Sequence, residues 1–243
     1  MGKLLHRLLY RVLSLEGYLR VVSRLFFIAR ALGIGRRGRA LEYNYHLPQL
    51  LRRGDIAIDI GANLGYYTRP MADIVGTEGR VYAVEPVPVI FSVLERNVRG
   101  RGNVSLMNYA LGEQDTTIEM ANDSVAAAGY FGTGRNFVSD GKLSGEAIRF
   151  TAQMVRGSRL FAEIGKIDFI KCDIEGYERV VIPELKPLIE RHHPTVLIET
   201  DGDTRHEIIK MFTEMGYRAY MLEVGREVAL DTKSDKDIIF RFE

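Results

Sequence analysis

The feature that most constrains the fold is the alternation, from residue 54 onward, of short apolar runs with segments of helical periodicity. The pattern predicts strands at 56–60, 80–84, 104–108, 167–173 and 195–200, and helices at 67–75, 88–98, 178–192 and 206–216. Such alternation is typical of a parallel sheet with crossover helices. The runs at 217–224 and 236–242 suit an antiparallel ending. We therefore predict an α/β protein with a doubly wound, mostly parallel sheet, an antiparallel final strand and additional N-terminal helices.

The N-terminal 53 residues differ in charge from the rest of the chain. They hold eleven Lys and Arg against Glu16 and Glu42, a net charge of +9, whereas the remaining residues carry −8. A chain of 243 residues is long enough for one sizeable α/β core and an appendage. We therefore interpret 1–53 as a basic, amphipathic helical segment and 54–243 as the doubly wound domain.

Residues 1–33 predict two amphipathic helices separated at Gly17. At 100° per residue, one face of the first helix is apolar and the opposite face basic; the apolar face holds Leu4, Leu5, Leu8, Leu9, Val12 and Leu15, and the basic face Lys3, Arg7 and Arg11. No apolar stretch approaches the roughly 20 residues that span a bilayer. Two interpretations stay open: the helices pack on the domain, or they lie on an anionic membrane surface. No nucleic-acid partner is expected, because no binding motif accompanies the charge.

The single cysteine, Cys172, excludes an internal disulfide framework and suits a reducing compartment. We therefore expect a cytoplasmic protein, peripheral at the inner face of the membrane if the N-terminal helices bind there. The polar stretch 121–145 shows no sustained periodicity, and we interpret it as a long loop over the edge of the sheet that binds the ligand.

The stretch "AIDIGANLGYYT", residues 57–68, predicts the ligand site. Asp59 lies at the end of the first strand, and a turn from Gly61 to Gly65 leads directly into a helix, whose N-terminal amides would face a ligand. A dinucleotide fingerprint would place glycine where Asn63 and Tyr66 stand. The turn therefore suits the amino-acid carboxylate of S-adenosylmethionine better than a pyrophosphate.

Two further strand ends support this interpretation. Glu85 ends the second strand, where an acidic side chain can accept hydrogen bonds from both hydroxyls of a ribose. Asn108 ends the third strand, where an adenine would lie, although an asparagine there also suits a simple turn.

Four blocks of the sequence together resemble the FkbM-type methyltransferases, which use S-adenosylmethionine. They are "AIDIGANLGYYT", "VYAVEPVP", "NYALGEQDTTIEM" and "IDFIKCDIEGYERVVIPEL". The resemblance covers about residues 54–200 and implies a class I, Rossmann-like domain that methylates oxygen, often on sugars or glycan precursors. Carried over residue by residue, the resemblance implies cofactor contacts at Asp59, Gly61, Asn63, Gly65 and Glu85. Further candidates for cofactor contacts lie in the same blocks, at Ala62, Tyr67, Thr68, Pro86 and Asn108. The chain departs from the family at 150–165, where Gln153 or Met154 stands in place of an acidic residue.

The acceptor side of the reaction requires a place for a proton, because a sugar hydroxyl is a poor nucleophile. Asp173 and Glu175, at the end of a buried strand, are the leading catalytic candidates. His46, on a segment before the first strand, is a further candidate. Glu199 and Asp201 offer an alternative, a magnesium site shared with Asp173. A nicotinamide-dependent oxidoreductase and a non-catalytic membrane-binding module remain as alternative functions.

Overall fold

A computed structural model of the chain describes residues 2–36, 38, 41–139 and 147–243. The main sheet of this described part contains eight strands: β1 (Ile56–Ile60), β2 (Arg80–Val84), β3 (Val104–Met107), β8 (Phe169–Cys172), β9 (Thr195–Ile198), β10 (Tyr217–Glu223), β11 (Arg226–Ala229) and β12 (Ile238–Phe242). Their spatial order is β11-β10-β12-β9-β8-β1-β2-β3. Five neighbouring strands, β3, β2, β1, β8 and β9, are parallel to one another, and β12 runs antiparallel to β9. The predicted fold class is therefore confirmed.

The described helices are α1 (Lys3–Val12), α2 (Leu15–Ala31), α3 (Glu42–Leu50), α4 (Thr68–Val75), α5 (Pro88–Asn97), α6 (Ser124–Ala128), α7 (Gly157–Leu160), α8 (Glu178–His192) and α9 (Gly202–Glu214). Helices α3 and α4 cover one face of the sheet, where Ala57 and Phe169 are buried. Helices α8 and α9 cover the other, against Ile58 and Ile170. Because neighbouring strand residues point to opposite faces, odd-numbered residues of β1 and β8 share the α4 side.

A second sheet was not predicted. It consists of β4 (Ala110–Leu111), β5 (Thr116–Asn122), β6 (Asn136–Val138) and β7 (Ile148–Val155), in the order β4-β7-β5-β6. The expected loop 121–145 thus contains part of β5, the short helix α6 and the strand β6, while 140–145 lie outside the described residues. These elements depend on pairing between distant segments, for which local periodicity gives no signal.

The N-terminal helices are divided at Ser14 rather than at Gly17. Helix α1 ends at Val12, and the Ser14 hydroxyl caps α2 by accepting a hydrogen bond from the amide of Gly17, at 3.2 Å. Gly17 therefore lies inside α2. Tyr18 and Leu19 bury one face of α2 against Leu64 of the turn after β1 and against Ile90 and Val93 of α5. No described helix combines the length and the apolar character that a membrane span requires. The division into 1–53 and 54–243 stays a prediction.

Candidate functional site

Gly61 lets two strand ends approach each other closely. The residue follows β1 directly and has φ 79°, a left-handed conformation that favours glycine. A Cβ atom at this position would lie 1.9 Å from the carbonyl oxygen of Asp173, which follows β8. The contact leaves no room for any side chain, and it brings the first and fourth sequence blocks together at one edge of the sheet.

The amides of the turn after β1 are used within the protein. The Gly61 and Ala62 amides donate to the Val84 carbonyl oxygen, at 3.1 and 2.9 Å. The amide of Asn63 donates to Glu85, that of Leu64 to the Asn63 side chain, and that of Gly65 to Ala62. The expectation that the backbone amides of this turn face a ligand is therefore wrong for Gly61 to Gly65, because acceptors on β2, on Glu85 and in the turn itself already take their hydrogen bonds.

Glu85 connects the turn to the second strand. Its Oε2 accepts from the Asn63 amide and its Oε1 from the Val87 amide, both at 2.9 Å. The side chain is only 4% exposed, and burial raises its pKa to about 7. Since each carboxylate oxygen has two lone pairs, Glu85 keeps the capacity to accept hydrogen bonds from a ligand.

A buried lysine that the sequence analysis missed lies at the centre of the site. Lys171 is paired with Asp59 in the register of β8 and β1, so both side chains lie on the α4 face. Its Nζ is 2.8 Å from Oδ2 of Asp173 and 4.6 Å from the ring centre of Tyr67. Burial alone would lower the pKa of Lys171, but Asp173, Tyr67 and Asp59 outweigh burial and raise it. The sequence did contain a signal, a lysine within an apolar strand two residues before an aspartate.

Asp59 is fully buried beneath this cluster. Its Oδ2 accepts a hydrogen bond from the Thr68 hydroxyl at 2.6 Å, whereas its Oδ1 has no hydrogen-bond partner among the described residues. Burial raises the pKa of Asp59 to about 6, against the opposing effect of Lys171. A buried carboxylate oxygen without a partner is uncommon in folded proteins, so this atom is a point of interest beside the Gly61 cavity.

Two adjoining cavities lie over the turn, and we call them together the Gly61 cavity. The larger, of about 600 Å³, has a mostly apolar wall that includes Ile60, Val84, Leu111, Phe137 and Ile174. The smaller, of about 60 Å³, reaches Asn63, Glu85 and Asp173. Both are lined by Gly61, Pro86, Met120, Asn136, Ile174 and Glu175.

The segment 133–138 forms part of the wall of the Gly61 cavity. Thr133, Gly134, Asn136, Phe137 and Val138 line it, as expected for a segment that crosses the ligand edge. A Cβ atom on Gly134 would lie 2.9 Å from Oε1 of Glu175. The Asn122 side chain fixes the segment by donating to the Gly132 carbonyl and to the Asn136 side chain, at 2.8 and 2.9 Å.

A further cavity of about 650 Å³, which we call the acidic cavity, lies on the other side of Asp173. Four aromatic rings and five carboxylates line it, namely Phe26, Tyr43, Tyr66, Tyr67, Glu42, Asp173, Glu199, Asp235 and Asp237, together with Leu41, Asn44 and Lys236. The Glu199 side chain is partly buried. This burial, together with the nearby Asp173 and Asp237, raises the pKa of Glu199 to about 8. Asp173 lines both the acidic cavity and the smaller part of the Gly61 cavity.

The structure places the predicted cofactor residues in three groups. Gly61, Asn63, Glu85 and Pro86 line the Gly61 cavity. Asp59, Ala62, Gly65 and Thr68 lie behind or beside it, with Gly65 close to Leu94 of α5. Tyr67 lines the acidic cavity instead, and Asn108 donates to the backbone carbonyl of Glu85 at 2.7 Å, as the turn interpretation expects.

Among the candidate catalytic residues, Asp173 and Glu175 meet at the Gly61 cavity, but His46 lies elsewhere. Its Nε2 is 2.9 Å from Oε1 of Glu227 on β11, and the side chain is buried. Glu227 also binds Arg241 through both carboxylate oxygens. The expectation that His46 folds over the acceptor is therefore corrected: it belongs to a packing contact between α3 and the edge of the sheet.

The magnesium site predicted at Asp173, Glu199 and Asp201 is not supported. The described part of the chain contains no group of three or more His, Cys, Asp or Glu side chains arranged to hold a metal ion. An ammonium group, Lys171 Nζ, already supplies the positive charge beside Asp173. Asp201 lies on the surface at the N-terminal end of α9.

Comparisons with known proteins agree with this geometry. The profile of the family described as "Methyltransferase FkbM domain" matches residues 59–219. The chain is 36% identical over 59 residues to a protein-L-isoaspartate O-methyltransferase of Ignicoccus hospitalis, which is 24% of this chain and 28% of that protein. It is 29% identical over 140 residues to the enzyme of the same name from Caenorhabditis elegans, which is 53% of this chain and 59% of that protein. The chain thus spans less than two thirds of the length of either relative.

Among solved structures, the methyltransferase FkbM from Methylobacillus flagellatus KT matches with a TM-score of 0.51 at 13% identity. The match covers 80% of this chain and 45% of that one. At this level of identity the likeness concerns the fold alone.

Proposed function

The chain belongs to the FkbM methyltransferase family, and from that premise we propose that it transfers a methyl group from S-adenosylmethionine to a sugar hydroxyl of a glycan or glycolipid. The observation that carries the proposal is the position of Asp173, which lines two cavities of different character. One suits the cofactor and the other an acceptor, so the two reactants would meet at this residue. The family match leaves no support for the nicotinamide-dependent alternative.

The residues of the Gly61 cavity fit the cofactor. Glu85 would accept hydrogen bonds from the ribose hydroxyls, and the apolar wall with Ile60 and Phe137 would hold the adenine. The volume of about 600 Å³ lies within the range of small-molecule sites. The unpartnered Oδ1 of Asp59 suits the ammonium group of the methionine moiety, directly or through water. When bound, S-adenosylmethionine supplies an electrophilic methyl group on its sulfonium.

The acidic cavity suits a carbohydrate. A sugar ring has apolar C–H faces, which pack on aromatic rings, and hydroxyls, which donate to carboxylates. The cavity offers both kinds of partner, for example Tyr43 and Tyr66 beside Asp173 and Asp237. A purely apolar pocket would leave the hydroxyls without partners, at a cost of roughly 1–3 kcal/mol for each buried group.

The acceptor hydroxyl must lose its proton as its oxygen takes the methyl group. Asp173, held by Lys171 and lining both cavities, would accept a hydrogen bond from that hydroxyl and so orient its oxygen toward the Gly61 cavity. Glu199 has a pKa raised to about 8, mainly by partial burial, which suits a general base near neutral pH. We assign orientation to Asp173 and proton acceptance to Glu199. Glu175, beside Gly134, would exclude water from the cofactor side.

We also propose that residues 1–33 place the enzyme on an anionic membrane surface. Eight of the eleven large apolar side chains that are exposed in the described part of the chain lie in its first 34 residues: Leu4, Leu5, Leu8, Val12, Leu25, Ile28, Leu32 and Ile34. Leu4, Leu8 and Val12 form one stripe along α1, while Arg7 on another face donates to the Ala128 carbonyl at 2.8 Å. The apolar stripe of α1 thus points away from the protein, as in helices that lie in a membrane interface.

Two measurements test the proposed function. Calorimetry should detect S-adenosylmethionine binding, and Glu85→Ala should weaken it by about 1.5–3 kcal/mol, the worth of hydrogen bonds to a charged group. Glu95→Ala, an exposed change on α5, is the matched control.

Methyl-labelled S-adenosylmethionine with extracted glycolipids and polysaccharides should then give a product in which the label survives mild alkali, as a methyl ether does. An alkali-labile methyl ester would contradict the sugar-hydroxyl assignment, and absence of cofactor binding would contradict the whole proposal.

A further inference from the structure

A third cavity lies outside the site described above and is lined by five arginines. It measures about 540 Å³ and lies between α2, the start of α4 and the end of α5. We call it the arginine cleft; its lining consists of Arg20, Arg24, Arg69, Arg96, Arg99, Asn97, Phe27, Ile28 and Ala31. Neither the methyl-transfer site nor the packing of the sheet uses these guanidinium groups.

The positive charge of the arginine cleft is largely uncompensated. Among the described residues, the carboxylate nearest to these arginines in an ion pair is Glu16, whose Oε1 is 3.6 Å from Nε of Arg96. Arg69 lies against the Phe27 ring, 4.6 Å from its centre, instead of a carboxylate. Partial burial and the nearby Arg101 lower the pKa of Arg69, and the carboxylate of Asp73 offsets this only in part. Like charges gathered in one cleft repel each other, so an anion bound there would stabilise the folded protein.

The residue type points to phosphate. A guanidinium group presents its donors in a planar fork that matches phosphate oxygens in a bidentate way. The arginines come from two sides of the cleft, Arg20 and Arg24 from α2, and Arg96 and Arg99 from α5 and the residues after it. We call these two pairs of arginines the two banks of the cleft. Their N–H donors face a common space, which suits a phosphate or diphosphate group held between them.

The neighbouring surface suits a ligand that is also partly apolar. Ile28 lines the cleft and is 57% exposed; Leu25 on the same helix and Leu32 directly after it are also exposed. An aromatic wall separates the cleft from the acidic cavity, because Phe27 lines one and Phe26 and Tyr66 line the other. The ring centres of Phe26 and Tyr66 are 4.2 Å apart.

We infer that the arginine cleft is a binding site for a phosphate or diphosphate group, carried either by an anionic lipid or by a small phosphorylated ligand. The inference does not depend on the proposed methyl transfer, since it rests on the five arginines and the shape of the cleft. Asn97 links the cleft to the cofactor side, because its Nδ2 donates to the Leu64 carbonyl of the glycine turn at 2.8 Å.

The test uses the full chain and two probes at fixed ionic strength. Inorganic pyrophosphate is titrated by calorimetry, and sedimentation is measured with vesicles of phosphatidylcholine alone or mixed with phosphatidylglycerol. The variant Arg24→Gln with Arg99→Gln removes one guanidinium from each bank, and both side chains are exposed, so the fold should survive. Arg191→Gln with Lys210→Gln, on the exposed sides of α8 and α9, removes the same charge elsewhere.

We expect the cleft variant to weaken pyrophosphate binding at least ten-fold, and the control pair to change it less than two-fold. Binding of pyrophosphate without a cleft-dependent effect on vesicles identifies a small phosphorylated ligand. Cleft-dependent binding to phosphatidylglycerol vesicles that pyrophosphate competes away identifies a lipid headgroup. Absence of binding to either probe, or equal losses in the cleft variant and the control, overturns the inference. If the double variant fails to fold, Arg24→Gln alone with the same readouts decides.

Discussion

Lys171 Nζ lies 2.8 Å from Oδ2 of Asp173, two residues further along the same chain, and Asp173 lines both the Gly61 cavity and the acidic cavity. Only 3% of the lysine is exposed. A buried ammonium group is tolerated only beside opposite charge, and here Asp59 and Asp173 provide it. The charge of the lysine therefore holds the two carboxylates of the site in one place.

Replacement of Lys171 by methionine should destabilise the protein by about 3–5 kcal/mol, because it leaves buried carboxylates without their partner. Denaturation in urea, followed by circular dichroism, measures the change. Lys166→Met is the matched control, since that lysine is 70% exposed in its ion pair with Asp168. The control should stay within about 0.5 kcal/mol of the native protein. Equal stability of the two variants would refute the structural role of Lys171.

Gly61→Ala should lower the free energy of unfolding far more than the same change at another glycine with positive φ. At Gly61 the added Cβ meets the Asp173 carbonyl oxygen at 1.9 Å, whereas at Gly100, with φ 83°, no atom lies within 4 Å. Gly100→Ala therefore isolates the backbone cost, roughly 1–2 kcal/mol. Gly61→Ala adds a backbone clash, so we expect a loss of at least twice that free energy of unfolding, together with loss of cofactor binding. Similar unfolding free energies would mean that the two strand ends are not held together.

The stability of the ligand-free protein should fall as the pH rises from about 5 to 7.5. Burial raises the pKa of Glu85 from 4.5 to about 7 and that of Asp59 to about 6. Between the unfolded and the folded pKa of each carboxyl group, the folded state binds more protons than the unfolded state. The stability that each group contributes is therefore fully present below its unfolded pKa, and it is lost as the pH rises through its folded pKa. For Glu85 this amounts to on the order of 3 kcal/mol.

Urea denaturation at several pH values measures this slope, and Glu85→Gln should flatten it while Glu95→Gln leaves it unchanged. A stability that increases between pH 5 and 7.5 in the native protein would contradict the raised pKa values.

Asp173→Asn and Glu199→Gln should affect turnover in different ways. The first removes the carboxylate that we propose orients the acceptor hydroxyl, so we expect kcat to fall by about ten-fold or more across the pH range, with the shape of the pH profile kept. The second removes the group whose pKa is raised to about 8, so the limb of the profile near that pH should disappear. Calorimetry with S-adenosylmethionine checks that cofactor affinity is retained. If Asp173→Asn loses the cofactor instead, that residue positions the cofactor rather than the acceptor.

Much of the fold could be predicted because its signals are local. The strands at 56–60 and 80–84 and the helix at 178–192 have the predicted bounds, since apolar runs and caps mark them in the sequence. Glu85 was also placed correctly at the end of its strand. The second sheet and the acidic cavity depend on which distant segments meet, as when Asp237 and Tyr67 reach the same space. His46 was misplaced because its partner, the half-buried Glu227, lies 181 residues away.

The membrane proposal predicts that the apolar stripe of α1, not its charge alone, is needed for binding. Leu4, Leu8 and Val12 are exposed, so changing all three to glutamine should leave the free energy of unfolding within about 0.5 kcal/mol. Each buries apolar surface if α1 lies in the interface, at about 1.5–3 kcal/mol per side chain. Co-sedimentation with phosphatidylglycerol vesicles should therefore fall by well over ten-fold, even at low salt, where nearby Lys and Arg contribute about 1 kcal/mol each. Val224→Gln, which removes a fully exposed apolar side chain elsewhere, should have no effect. Unchanged vesicle binding in the triple variant would mean that α1 does not enter the interface.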